Sequence, residues 1–321
     1  MVLNPRFIRG LRCLAAVALP MALVVVSLRL SDTPRYRYSL ETGSCFARIT
    51  LEQDADIDFA AVGGSRMLTA FDPYLFEREY LASQGREVVA YNLARSWFGP
   101  DYAYPMLRDL LERRRVEHLI LMASYQRGDV YNPVAYSIAR NEDLLAAIDA
   151  RPNARVEHLG RTLLMFLQRI RDVLLGRPAE TAYPENVRSC YKGDRPIDPD
   201  ALRREQLQLV TRGGFREIEF DIADPVQSYA VYYFRRIVEL ARAHGTRVTF
   251  VHLPLLAGAQ WSDETARRFE EVIGAPVLRL PIELRVKLAR SGFRDRMHLV
   301  GEGRLAFTPW LVEALSERPS E

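Results

Sequence analysis

The chain has 321 residues, 48% of them hydrophobic and 26% charged, the balance of a globular protein with enough apolar side chain for a full core. Its formal net charge is only +3, and its arginines are spread along the chain rather than gathered into a stripe. That distribution argues against nucleic acid as a partner.

The N-terminus differs from everything after it. Arg6, Arg9 and Arg12 precede an uncharged run over 13–28, and Arg29, Arg35 and Arg37 follow it. Sixteen helical residues rise roughly 24 Å, and flanking arginines can snorkel while Phe7, Ile8 and Leu11 extend the apolar surface toward a ~30 Å hydrocarbon core. The run ends Val26-Ser27-Leu28-Arg29-Leu30 instead of in a small-residue cleavage site. Residues 1–30 therefore read as an uncleaved, single-pass signal anchor rather than a cleaved signal peptide. Arginines on both sides leave a small asymmetry, which favours an inner-membrane anchor with the body in the periplasm.

Residues 31–56 are mostly polar, with turn signals at Asp32-Thr33-Pro34 and Thr42-Gly43-Ser44, and read as a stalk. Cys45 and Cys190 are the two cysteines outside the apolar run. In an oxidising compartment they either bridge the stalk to the middle of the chain or stand as two separate thiols.

From Ile57 the pattern alternates between strand and helix. Short apolar or β-branched runs at 57–62, 88–91, 118–123, 247–252 and 276–280 predict strands, and stretches near 68–82, 101–114, 227–243 and 263–273 predict helices. Tyr229, Tyr232, Tyr233, Ile237, Val238 and Leu240 give the clearest helical period. Alternation of this kind implies a parallel sheet with helices on both faces. Ser65, Asn92, Ser124 and His252 then fall at or just beyond strand carboxyl ends, where such sheets form their sites.

The order is interrupted over about 134–222. This stretch is too long for a structureless loop and reads as a largely helical insertion in a domain spanning 57–321. Its apolar residues, Leu163, Leu164, Phe166, Leu167 and Ile170 among them, would pack on the main domain, on a membrane or on a partner.

Ser65 follows the first strand in Val62-Gly63-Gly64-Ser65-Arg66 and opens a helix. A serine in that place is either a helix N-cap or a nucleophile, and a nucleophile needs an oriented base. Asp295-Arg296-Met297-His298, on a loop before the last helix, offers one, since an aspartate three residues from a histidine can accept its Nδ1–H and turn Nε2 toward a serine. The bland alternative is a surface Asp capping a turn. Arg66 would pair with a carboxylate such as Asp72 or bind an acidic substrate, and His252 would sit in the core or line a pocket. The spacing of His118, His158 and His244 suggests no metal site, and no cofactor motif is present.

Gly-Gly-Ser65-Arg66 after the first strand, Tyr91-Asn92-Leu93-Ala94 after the second and Asp295-Arg296-Met297-His298-Leu299 before the last helix resemble the SGNH (GDSL-like) hydrolase superfamily. Within it the chain is most similar to the membrane-anchored, exported branch that includes the D-alanine transfer protein of teichoic acid systems and the alginate O-acetylation proteins. Met67 in place of a second glycine separates the motif from the α/β-hydrolase elbow. The resemblance implies a three-layer α/β/α, flavodoxin-like sandwich and a catalytic triad of Ser65, His298 and Asp295. It also implies an oxyanion hole, which the family completes with a glycine after the second strand and an asparagine after the third. This chain has neither in the usual place. A backbone N–H between Ala94 and Gly99, with Trp97 nearby, and Ser124 or Gln126 after the third strand are the residues that stand there instead.

The implied protein is a serine-dependent O-acyltransferase or carbohydrate esterase acting on a small acyl group, such as acetyl, of a cell-envelope glycan. A multispanning acyl-donor protein would be its partner in the inner membrane. The alternative is a catalytically impaired scaffold of the same fold within an envelope-polysaccharide assembly complex.

Overall fold

A computed structural model describes residues 53–95, 99–123, 133–149, 155–177, 229–256, 260–295, 297–299 and 301–317, together with 188–189, 217–218 and scattered positions before 53. The chain divides into two compact units, Met1–Ala47 with Pro133–Ala182 and Arg48–Asn132 with Tyr183–Glu321.

In the larger unit, β1 (Ile57–Val62) leads through Gly63 and Gly64 into α1 (Ser65–Ala70) and α2 (Pro73–Gln84). The single helix expected over 68–82 is two. Phe71 is extended, Pro73 occupies the first turn, and the Asp72 carboxylate caps the new start by accepting the N–H groups of Tyr74 and Leu75, each at 3.1 Å. Next come β2 (Ala90–Asn92), α3 (Pro100–Leu111) and β3 (Val116–Met122).

The helices α4 (Pro133–Ile138), α5 (Asn141–Asp149) and α6 (Arg155–Leu174) belong to the other unit. After them the larger unit resumes with β4 (Glu217–Ile218), α7 (Tyr229–Ala243), β5 (Arg247–His252), β6 (Gln260–Trp261) and α8 (Asp263–Ile273). It closes with β7 (Val277–Arg279), α9 (Ile282–Ser291) and α10 (Gly301–Ser316).

Five parallel strands form the main sheet in the order β2-β1-β3-β5-β7, as the alternating pattern predicts. Counting only these five, the order is 2-1-3-4-5, that of flavodoxin-like sheets, whose switch point lies between the first and third strands. Ser65 follows β1 at that point. Strands β4 and β6 make a separate parallel pair too short to register in the sequence pattern.

Helices cover both faces of the sheet. Alternate residues Phe59, Ala61, Ile120, Val251 and Leu278 join Phe76 of α2, Leu288 of α9 and Phe307 and Leu311 of α10 in one core. On the opposite face Phe250 meets Phe234 of α7 and Phe269 of α8 edge-on, with ring centroids 5.0 and 5.1 Å apart. Burying both faces explains why the strands read as continuous apolar runs.

Of the insertion expected over about 134–222, the smaller unit contains the three helices α4 to α6, and Asp32 and Arg37, assigned to a stalk, bond to them; most of 178–222 lies outside the described residues. Arg37 is buried and donates from Nε to the Asp32 carbonyl at 2.7 Å and from Nη1 to the Ile138 carbonyl at the end of α4. The Asp32 carboxylate accepts the N–H of Asn141 at the start of α5, 2.7 Å away. Among the described residues no helix is long and apolar enough to cross a membrane. The anchor expected over 1–30 lies largely outside them, and Cys45 and Cys190 lie outside them altogether.

Candidate active site

Two glycines make the turn that presents Ser65. A Cβ on Gly63 would come within 2.6 Å of the Met122 Cβ, so only glycine lets the end of β1 pass the end of β3. Gly64, not Ser65, is the N-cap of α1, with extended backbone and no side-chain cap. Ser65 is the first helical residue, so its hydroxyl is free of the capping role that was its simplest alternative reading.

The turn is held from behind by Asn92 at the end of β2. Its fully buried amide donates to the carbonyls of Leu68, at 3.1 Å, and Phe71, at 2.6 Å, and its oxygen accepts the Ala94 N–H at 3.0 Å. Thr69 adds hydroxyl bonds to the Ser65 and Arg66 carbonyls. Sequence reasoning placed Asn92 at a strand end without giving it a task. The available signal was an amide closing an apolar strand, a polar group that burial obliges to find partners.

The second half comes from the loop between α9 and α10. A Cβ on Gly303 would collide with the backbone of Gly292, so the two glycines bring the ends of these helices into direct contact. Buried Phe293 and Leu299 pair as an antiparallel bridge, and the Arg294 N–H donates to the His298 carbonyl at 2.8 Å. Within this closed loop Asp295 Oδ1 accepts the N–H groups of Met297, at 2.8 Å, and His298, at 2.9 Å. The His298 ring places Nδ1 2.8 and 2.7 Å from the two carboxylate oxygens.

These halves meet. His298 Nε2 lies 2.8 Å from Ser65 Oγ across 233 residues of sequence. With Nδ1–H donated to Asp295, Nε2 is the acceptor and the serine hydroxyl the donor. Partial burial pushes the Asp295 carboxyl upward. The hydrogen bond from the His298 ring and those from the Met297 and His298 amides outweigh that and hold it below the ordinary carboxylate value.

Other expected residues take different places. Ala94 is fully buried and its N–H is spent on Asn92, while the Leu93 and Arg95 N–H groups go to the carbonyls of Ala61 and Gly63. Ala94 is therefore not an oxyanion donor. Gly99 is the N-cap of α3. Trp97, Ser124 and Gln126 lie outside the described residues.

Arg66 does not pair with Asp72, whose carboxylate is committed to capping α2. It donates instead from Nη2 to the carbonyls of Leu253 and Pro254 beyond β5, and burial pulls its guanidinium down to about 10. His252 is a core residue. Its ring packs on Trp261 with centroids 4.7 Å apart. Burial, then the positive charges of Arg66, Arg285 and Arg279, pull it down to about 3. His118 is likewise buried, 2.8 Å from the Thr249 hydroxyl, and pulled down to about 3 by burial and then by Arg247. Among the described residues no group of three His, Cys, Asp or Glu side chains is placed to hold a metal.

Compared with known proteins, the chain matches no family model and no curated sequence.

Proposed function

We propose that the protein is a serine-dependent acyltransferase or esterase of SGNH type, held at the inner membrane by residues 13–28 and acting in the periplasm on a small acyl group of an envelope glycan. The observation that carries this reading is the 2.8 Å contact between Ser65 Oγ and His298 Nε2, with both Asp295 oxygens on the far side of the imidazole.

Serine needs a base to become a nucleophile at neutral pH. As Ser65 Oγ bonds to an acyl carbon, its proton passes to His298 Nε2. The imidazolium so formed is stabilised by the Asp295 carboxylate, which stays ionised because it already accepts hydrogen bonds from the ring and two amides. The tetrahedral intermediate collapses as Nε2 returns the proton to the departing oxygen. A second alcohol or a water, deprotonated by the same nitrogen, then bonds to the acyl carbon, and as the bond to Ser65 Oγ breaks Nε2 returns the proton to that oxygen. The Ser65 N–H, at the first position of α1, has no acceptor within its own helix and is the oxyanion donor proposed among the described residues.

The scaffold reading draws support from Ala94, whose N–H is unavailable. The missing third-strand asparagine supports it too, and the Ser65–His298 contact weighs against it. The test is hydrolysis of a chromogenic acetyl ester by the full chain in detergent beside Ser65→Ala. Loss of turnover by a factor on the order of 10⁴ or more is expected for the variant. Equal turnover by both proteins removes Ser65 as the nucleophile.

A further inference from the structure

Helix α6 is inside out. Its buried positions are His158, Thr162, Arg169 and Asp172, each 7% exposed or less. His158 Nε2 lies 3.1 Å from the Leu144 carbonyl. The Arg169 guanidinium donates to the carbonyls of Ser137 and Ala139 and to Asn141 Oδ1 at 2.6 to 3.0 Å. Its outward positions include Val156, Leu159, Leu163, Leu164, Leu167 and Leu174, every one more than half exposed, beside the exposed Glu157, Arg161 and Arg171. At 100° per residue, Val156, Leu159, Leu163, Leu167 and Leu174 fall within a stripe about 80° wide. A helix whose outer face meets water turns its leucines inward; this one buries Arg169 and Asp172 and turns a stripe of apolar side chains outward. A contiguous apolar stripe of this kind marks an interaction surface.

The same unit supplies the argument for what covers it. The uncharged run over 13–28 stops a few residues before Asp32, and Asp32 is bound into the helical part of this unit. Its carboxylate accepts the Asn141 N–H at 2.7 Å and lies 4.0 Å from Arg169 of α6, while its carbonyl accepts from buried Arg37. Four residues reach at most about 14 Å even fully extended. A segment that leaves a bilayer at residue 28 therefore pins this unit close to the headgroups. Of the five arginines between 155 and 177 Arg169 is buried, and the other four against Glu157 and the buried Asp172 suit an anionic surface.

We propose that α6 lies in the interface of the bilayer that holds the N-terminal run, with the stripe from Val156 to Leu174 buried among the acyl chains as a second, monotopic attachment. This rests on the anchor reading given above, and the test separates the two. p-Benzoylphenylalanine is placed singly at Leu163, Leu167 or Arg161 of the full chain in its native membrane. Arg161 is exposed and some 160° around the helix from Leu163. The membranes are irradiated, half are extracted with alkaline carbonate, and adducts are identified by mass spectrometry.

Lipid adducts at 163 and 167 with none at 161 are expected. Protein adducts, adducts within the chain, or no adduct at 163 and 167 overturn the proposal, and if the chain resists alkali the anchor survives that result. Release by alkali with lipid adducts retained at 163 leaves α6 as the membrane contact and removes the span. Release with no lipid adduct removes both.

Discussion

His252 and His298 both belong to the carboxyl-end side of the sheet, yet they are placed in opposite electrostatic surroundings. His252 ends β5 under Trp261, and the charges that act on it, Arg66, Arg285 and Arg279, are all positive. His298 sits on a loop with its Nδ1 against both oxygens of a carboxylate. A general base must hold a proton in the transition state. The first site penalises that state through burial and like charge, and the second is built to accept it. Position beside a strand end is therefore a poor guide to which histidine can work, and the sign of its neighbours is a good one.

The widest separation between the two should come from substituting each in turn. His298→Ala is expected to lose acetyl-ester turnover by a factor on the order of 10⁴–10⁶, as for a triad base. His252→Phe, which keeps an aromatic ring on Trp261, should stay within a few-fold of the native rate. Comparable losses in both variants would mean that the contrast in charge does not decide function.

Asp295→Asn sharpens the comparison by altering the charge beside His298 while keeping its shape. An amide oxygen can still accept the Nδ1–H, but the amide can also turn its NH₂ to the ring and fix the wrong tautomer. No negative charge then remains to stabilise an imidazolium. A drop on the order of 10³–10⁴ in turnover is expected, with the fold intact by circular dichroism. A variant retaining more than a tenth of native turnover would mean that the carboxylate only shapes the loop.

Much of this was legible in the sequence, for identifiable reasons. Strands buried on both faces announce themselves as apolar runs, so the five-stranded sheet could be read directly. The Asp295-His298 spacing was readable because three residues fit one turn of loop. The split between α1 and α2 was hidden because Leu68, Leu75 and Phe76 keep a helical period across it; only Asp72-Pro73 betrays the second start. Arg66 was misassigned because a carboxylate six residues away is visible in a sequence, whereas the carbonyls of Leu253 and Pro254 are not. The unavailability of the Ala94 N–H could not be foreseen either, since it depends on where a side chain two residues earlier points.

Asn92 carries the serine half of the site as Asp295 carries the histidine half, but through backbone. Asn92→Ala would leave the Leu68 and Phe71 carbonyls and the Ala94 N–H without their buried partner. At roughly 1 kcal/mol for each bond lost, and more where a buried group stays unsatisfied, a destabilisation of about 2–4 kcal/mol is expected in urea unfolding. Turnover should fall as well, through the displacement of α1 and not the chemistry. A variant with native stability would show that the amide is dispensable and that Gly63 and Gly64 fix the turn unaided.

The smallest effect tests the other side of the comparison through stability alone. His252 is held near 3 in the folded chain, against about 6.5 when unfolded. Above pH 6.5 both states carry it neutral and the difference contributes nothing. As pH falls below 6.5 the unfolded chain takes up a proton that the folded chain refuses, so stability declines until the pH approaches 3. His118, also near 3, adds a second decline over the same window. Asp295 acts lower, because its depressed carboxyl supports the fold above the ordinary aspartate range and releases that support only as pH falls through its lowered value. His252→Phe should therefore flatten the fall in unfolding midpoint between pH 6.5 and 3 without abolishing it, and leave the curve above pH 7 parallel to the native one. An unchanged slope would place a proton on His252 in the folded protein and put it back among the candidates for the base.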